Sequence, residues 1–189
     1  MTSTPPAPPG RRKEAAARTR EGLIDAGLQL AEQTGLTGLS IDLIVKHAGV
    51  AKGTFFHHFG DRASYLLALH REFHERLAAQ LQAAVAGLPP GRDRLITGAT
   101  TWLDGCLRDR GVRALLLEAR AEPAVTDEIR HRNHANAELC QSDFTALGRP
   151  HPYESAQLWV GIVAEAALIE HQAAKALPAV RESLEQFVN

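Results

Sequence analysis

In "HAGVAKGTFFHHFGDR", residues 47–62, two adjacent histidines, three phenylalanines and a small Lys-Gly-Thr segment stand within sixteen residues. Imidazoles ligate metals, while lysine and threonine donate to phosphate oxygens or base edges, and aromatic rings pack. The stretch is therefore open to three chemistries: a metal site, a nucleic-acid contact or a packed corner. Neighbouring residues on a helix point about 100° apart, so His57 and His58 do not easily share one ion. His70 and His74, in "HREFH", stand one helical turn apart, a spacing that suits zinc. The glutamate there is one place late for a metalloprotease motif, and a solvated pair is the expectation. His131 and His134 share a face only loosely with Cys140. An ordinary surface, a polar patch in a pocket and a metal-sensing site stay open for them. No residue is assigned as a metal ligand, and no cofactor is expected.

These side chains belong to a chain of 189 residues, 44% apolar and 23% charged, the balance of an ordinary folded domain or two small ones. No apolar run approaches the roughly 18 residues of a membrane span, and the N-terminus has no apolar signal core. Cys106 and Cys140 have neither metal-type spacing nor the look of a secreted disulfide framework. The cytoplasm is the expected compartment, with no membrane partner. Net charge is −1, but it is unevenly spread. Residues 1–62 hold eight Lys/Arg against six Asp/Glu, and five of the eight fall between Arg11 and Arg20 beside Glu14 alone. A phosphate-facing end on a neutral or acidic body fits that asymmetry.

The elements that must position these residues read as helices throughout, about nine in all. Residues 1–10, "MTSTPPAPPG", are expected to be a flexible leader. A first helix runs from about Arg12 to Thr34, with Leu23, Ile24, Gly27, Leu30 and Ala31 on one face and Gly35 as its stop. Ser40 caps a second helix in which Leu39 staples onto Ile44, and Gly49 ends it. A third helix spans about Ala51 to His57. Gly60 breaks the chain, and Asp61 caps a fourth helix reaching about Val85. Further helices are expected at about 91–109, 111–121, 124–146, 153–175 and 178–188, with breaks at Gly111, Pro123, "GRPHP" and Pro178. No alternating β-branched run is present, so the fold class is all-α.

Two short helices joined by "AGV" form a helix-turn-helix, with glycine supplying the left-handed turn residue. The second helix would present Ala51, Lys52, Gly53 and Thr54 toward a major groove. The flanks sharpen this reading. An N-terminal helix, the stretch "TGLSIDLIVKHAGVAKGTFFHHFGDRASYLLAL" and an all-helical second half together resemble the TetR family of transcriptional regulators. The motif covers about residues 18–69; the rest resembles the family only in helix number and length. The resemblance implies a homodimeric regulator, not an enzyme, most simply a repressor. Residues 11–60 would form the helix-turn-helix domain on a palindromic double-stranded operator. Residues 61–189, entered through the fourth helix, would hold an effector pocket and the dimer interface. It also implies Phe55 and Phe59 as core plugs, with Phe56, His57 and His58 toward the DNA backbone, and Ser40 and Arg62 as phosphate contacts. Phe56 stands where the family often has tyrosine, so its contact would be apolar.

In the body, Trp102, Cys106, Leu116, Phe144, Trp159 and Val163 are core or pocket lining, with Arg120, Glu165 and His134 as candidate polar anchors for an unidentified small molecule. "AQLWVGIVAEAALI" (156–169) is apolar nearly all round and must be covered on more than one side. Trp159, Ile162 and Ala166 would face inward. Val160, Gly161, Ala164, Ala167 and Leu168, with Leu184 and Phe187 of the last helix, would form a two-fold interface. Three other readings weigh less. A metal-dependent helical-bundle enzyme lacks the paired Glu-x-x-His repeats it would need. An effector-independent DNA binder would want a basic body, whereas this one carries 13 basic and 16 acidic residues. A metal-sensing regulator would rest on the histidine clusters alone.

Overall fold

Glycine, proline and capping signals divide the chain into α1 (Pro9–Gly38), α2 (Ile41–Ala48), α3 (Lys52–Phe59), α4 (Arg62–Val85), α5 (Arg92–Arg108), α6 (Arg110–Glu118), α7 (Pro123–Ala146), α8 (Pro152–Ala173) and α9 (Pro178–Phe187), with a short 3₁₀ turn at Ala119–Ala121. This computed structural model describes residues 9–189, apart from the side chains of residues 9–12, 32, 35–37 and 115. Among the described residues there is no strand, and no helix is long and apolar enough to cross a membrane.

Most boundaries follow the local signals. Asp61 caps α4 by accepting from the Ser64 amide at 2.7 Å. Prolines 123, 152 and 178 each open a helix, where their missing N–H is no loss. Two expectations need correction. Helix α1 does not stop at Gly35 but continues to Gly38, because one interior glycine costs a helix only about 1 kcal/mol. The break expected at Gly111 falls at Asp109, and Gly111 lies inside α6. Of the leader, residues 1–8 lie outside the described residues, and Pro9 and Gly10 begin α1.

The apolar face of α1, with Leu23, Ile24, Leu30 and Ala31 buried, packs against α2, α4 and α6. Gly27 sits where α4 crosses most closely. A Cβ there would collide with the hydroxyl of Tyr65, which donates to the Leu23 carbonyl at 2.8 Å. In the body, α7 and α8 pack along one another and α5 packs against both α4 and α8. Two ion-pair clusters pin these helices. Arg94 of α5 grips Asp143 of α7 through both carboxylate oxygens, at 2.6 and 2.8 Å. Glu170 of α8, fully buried, accepts two hydrogen bonds from Arg181 of α9 and one from the Leu177 amide, all at 2.9 Å.

Candidate nucleic-acid interface

The α2–α3 corner is built from ordinary local chemistry. The Ser40 hydroxyl accepts from the Leu43 amide at 3.2 Å, and Leu39 and Ile44 are both buried beneath it. Gly49 takes φ +67°, a left-handed value that a Cβ would penalise, and Val50 N–H closes the turn on the Val45 carbonyl at 3.0 Å. Eight residues cannot hold a helix unaided. Helix α3 is held by Phe55 and Phe59, whose ring centroids each lie 4.9 Å from that of Tyr65. The Arg20 guanidinium of α1 stands 5.2 Å above the Phe59 ring.

The opposite side of α3 is open. Ala51, Lys52, Gly53 and His57 are exposed, and Thr54 and His58 are half-buried. Phe56 is 44% exposed and touches Phe55 edge-on at 5.6 Å. A Cβ on Gly53 would meet nothing within 4 Å, so packing does not require glycine there. Lys52 Nζ lies 2.8 Å from Asp42 of α2, a solvated pair that can be exchanged for a phosphate. Burial, then the charges of His57 and Arg20, holds His58 below the usual imidazole range. Arg62 begins α4 beside this face, and Lys13, Arg18 and Arg20 are exposed along α1. Arg11 and Arg12 lie in α1, but their side chains are outside the described ones.

A second feature lies within the body. Helices α4 to α8 line a half-open cavity of about 280 Å³. Its apolar wall includes Leu81, Leu95, Trp102, Leu116, Trp159 and Val163, and its polar wall includes His70, His74, Arg113, Arg132 and Asn136. His70 and His74 are 2% and 5% exposed, with ring centroids 4.2 Å apart, and Trp102 stacks on His74 at 5.4 Å and 7°. Burial, followed by the charge of Arg132, pushes His70 down to about 4. Burial, then His70 and Arg132, pushes His74 down to about 2. Both are neutral at pH 7. Among the described residues, no three His, Cys, Asp or Glu side chains converge as a metal-ligand set.

Residues 23–69 match the family described as bacterial regulatory proteins, tetR family. This segment is a tetR-family domain. Over 82 residues it is 34% identical to the HTH-type transcriptional repressor NemR of Escherichia coli K12, covering 41% of this chain and 40% of that protein. Over 107 residues it is 36% identical to the transcriptional regulator AcuR of Cereibacter sphaeroides, covering 51% of this chain and 49% of that protein. The matches thus span half or less of these curated relatives. A crystal structure of a TetR-family regulator from Rhodococcus sp. superposes with a TM-score of 0.76 at 18% identity, over 90% of this chain and 97% of that one. The TetR-family fold therefore extends beyond the matched helices to the body.

The body departs from the sequence reading at several residues. Trp102, Leu116, Arg120, Trp159 and Val163 do line the cavity. Cys106 and Phe144 are buried away from it, and His134 is exposed and hydrogen-bonds Tyr153 at 3.2 Å. Glu165 is exposed on α8. His70 and His74 are not a solvated pair, because α4 turns this face toward α5 and α7 rather than toward water. Sequence reasoning also missed Arg113 and Arg132. On the supposed interface, Val160 and Ala164 line the cavity, and Ala167 and Leu184 are buried in their own chain. Gly161 and Phe187 are exposed and Leu168 is half-buried, so the open side of α8 is rotated toward Leu158, Gly161 and Ile169.

The neutral histidines have a consequence for stability. Their unfolded pKa is about 6.5, so acid protonates the unfolded chain first. Stability is complete above that value and falls as pH drops toward the folded value of about 4 for His70. Each histidine removes about 1.4 kcal/mol per pH unit in that window. Urea unfolding between pH 6.5 and 5 is expected to show this loss, and a His70→Gln, His74→Gln variant to show a flatter slope. An equal slope in the two proteins would contradict the burial of these side chains.

Proposed function

We propose that this chain is a homodimeric DNA-binding transcriptional regulator that occupies a palindromic operator and leaves it when a small molecule fills the body cavity. Residues 11–60 form the DNA-binding domain in this reading and 61–189 the effector and dimer domain. The observation that carries it is the division of α3 into a buried aromatic side and an open side bearing Lys52, Gly53 and Thr54. The open side has no packing duty, and Gly53 lets the backbone approach a groove closely. Ala51 faces the groove with Gly53. Thr54 and Lys52 reach base edges or phosphate, and Phe56, His57, His58 and Arg62 line the sugar–phosphate backbone. Ser40 contributes at the start of α2, through the lone pair its capping bond leaves free. Repression is supported by the name of the similar NemR protein, a transcriptional repressor.

Two routes join the cavity to α3. Helix α4 runs from Arg62 beside the DNA face to His70, His74 and Leu81 at the cavity. Helix α6 carries Arg113 and Leu116 inward while it packs on α1. A ligand that favours a different setting of α4 and α6 alters the spacing of the two recognition helices. That spacing must match half-sites about 34–36 Å apart. A coupling of about 1.4 kcal/mol corresponds to a tenfold loss of operator affinity.

For the dimer, α9 turns back along α8, because Arg149 before α8 donates to the carbonyls of Phe187 and Asn189 at the far end of α9. Leu158 is 68% exposed, Ile169 38% and Phe187 56%, and Gly161 adds no bulk between the first two. This open apolar side of the α8–α9 pair is the proposed two-fold interface, with Leu168 at its margin.

Duplex DNA selected from a random library by the wild-type protein tests the first part. Thr54→Ala and Lys52→Ala are each expected to cost roughly 1–3 kcal/mol in affinity with the melting temperature unchanged. Wild-type affinity in the folded double variant would remove α3 from the DNA. Sedimentation tests the second part. The wild type is expected to be dimeric at micromolar concentration and Leu158→Glu monomeric or aggregated, whereas a fully dimeric Leu158→Glu protein would place the interface elsewhere.

A further inference from the structure

The cavity contains a cation without a counterion. Arg113 is 3% exposed, and its Nε has no hydrogen-bond partner. Of the three other arginines on the wall, two are neutralised, Arg94 by Asp143 and Arg132 by Glu128 at 3.1 Å, while Arg120 has no carboxylate partner among the described residues. Among the described residues no carboxylate pairs with Arg113. The groups around it are the thiol of Cys106, which burial pushes up to about 11 and so keeps protonated, Arg120, another cation, and the imidazoles of His70, His74 and His171, none of which is an anion. An arginine stays charged even when buried. A guanidinium held out of water without a partner is an expensive arrangement, and one that a bound anion relieves.

The orphaned hydrogen-bonding groups cluster here too. Trp102 Nε1, His70 Nδ1, His74 Nδ1 and Arg132 Nε are buried without partners, and all four side chains line the same cavity. Around them the wall is flat and aromatic, with Trp102 stacked on His74 and Trp159 opposite α4 on α8. At about 280 Å³ the space lies just below the range of about 300–1,000 Å³ usual for ligand pockets. It suits a ring with a short polar head rather than a long acyl chain.

We propose that the cavity binds a small aromatic carboxylate, with its carboxylate on the Arg113 guanidinium and its ring between Trp102, Leu116 and Trp159. This rests on the regulatory reading above for its consequence, but not for the binding itself. The planar fork of arginine matches the two carboxylate oxygens, and the buried Trp102 N–H stands ready for a further acceptor on the ligand. A neutral isostere leaves Arg113 uncompensated, so the site discriminates by charge as well as by shape.

The two tryptophans of the chain, Trp102 and Trp159, both line the cavity, so their emission reports its occupancy. The full-length protein is titrated with benzoate, phenylacetate and cinnamate, and with the amide of each. At least one acid is expected to bind tenfold or more tightly than its amide. Arg113→Met is expected to fold with an equal or higher melting temperature, because it removes an unpaired buried charge, and to bind acid and amide alike. If Arg113→Met does not fold, Arg113→Lys should keep the preference and Arg113→Gln should lose it. The proposal is overturned if no acid is preferred over its amide, or if the preference survives loss of the cation. Operator affinity is measured with the preferred acid present. Weakened operator binding supports both readings, whereas unchanged binding supports the carboxylate site and overturns the regulatory role.

Discussion

The rings of Phe55, Phe59 and Tyr65 are the contact on which the remaining architecture depends. Helices α2 and α3 are eight residues each, too short to persist on their own propensity. Burial of Phe55 and Phe59 against Tyr65 supplies what propensity cannot, and the Tyr65 hydroxyl carries the linkage from α4 to the backbone of α1 over Gly27. Because the aromatic side of α3 fixes its orientation, the other side is released from structural duty. Lys52, Gly53 and His57 are exposed there, and Gly53 has open space around it.

In the proposed mechanism the same contact makes α4 the lever. Tyr65 lies one turn from Arg62, at the recognition end, and His70, His74 and Leu77 follow on the same helix where it meets α5 and the cavity. A shift of α4 acts on α3 through these rings. Helix α6 gives the cavity a second hold, on α1. The body itself is tied by buried ion pairs at Asp143 and Glu170, each with its hydrogen bonds satisfied. Arg113 differs from both because, among the described residues, no carboxylate pairs with it.

The helix-turn-helix and nearly every helix boundary were legible because their signals are local. A glycine at positive φ, an aspartate cap or a proline at a first turn acts within four residues. The division of α3 was legible too, on the strength of the family resemblance. What was not legible is which face of a helix meets a cavity. A polar stripe on α4 looks the same in sequence whether it faces water or an enclosed space, so His70 and His74 were read as solvated. Helix α8 posed the converse problem. With apolar residues all round, its period could not say which side its own chain covers. Arg113 gave no signal at all, because arginine in a short helix with other arginines reads as surface.

Native-state amide hydrogen exchange tests the central claim, that α3 is held as one unit with α4 and α1 by the aromatic lock. If it is, the hydrogen-bonded amides of Phe56 to Phe59 will open with the same free energy as those of Leu66 to Leu69 and Leu28 to Leu30. Exchange of the α3 amides through an opening at least about 2 kcal/mol easier than that of α4 would contradict it, and would make α3 a helix ordered only by what it binds.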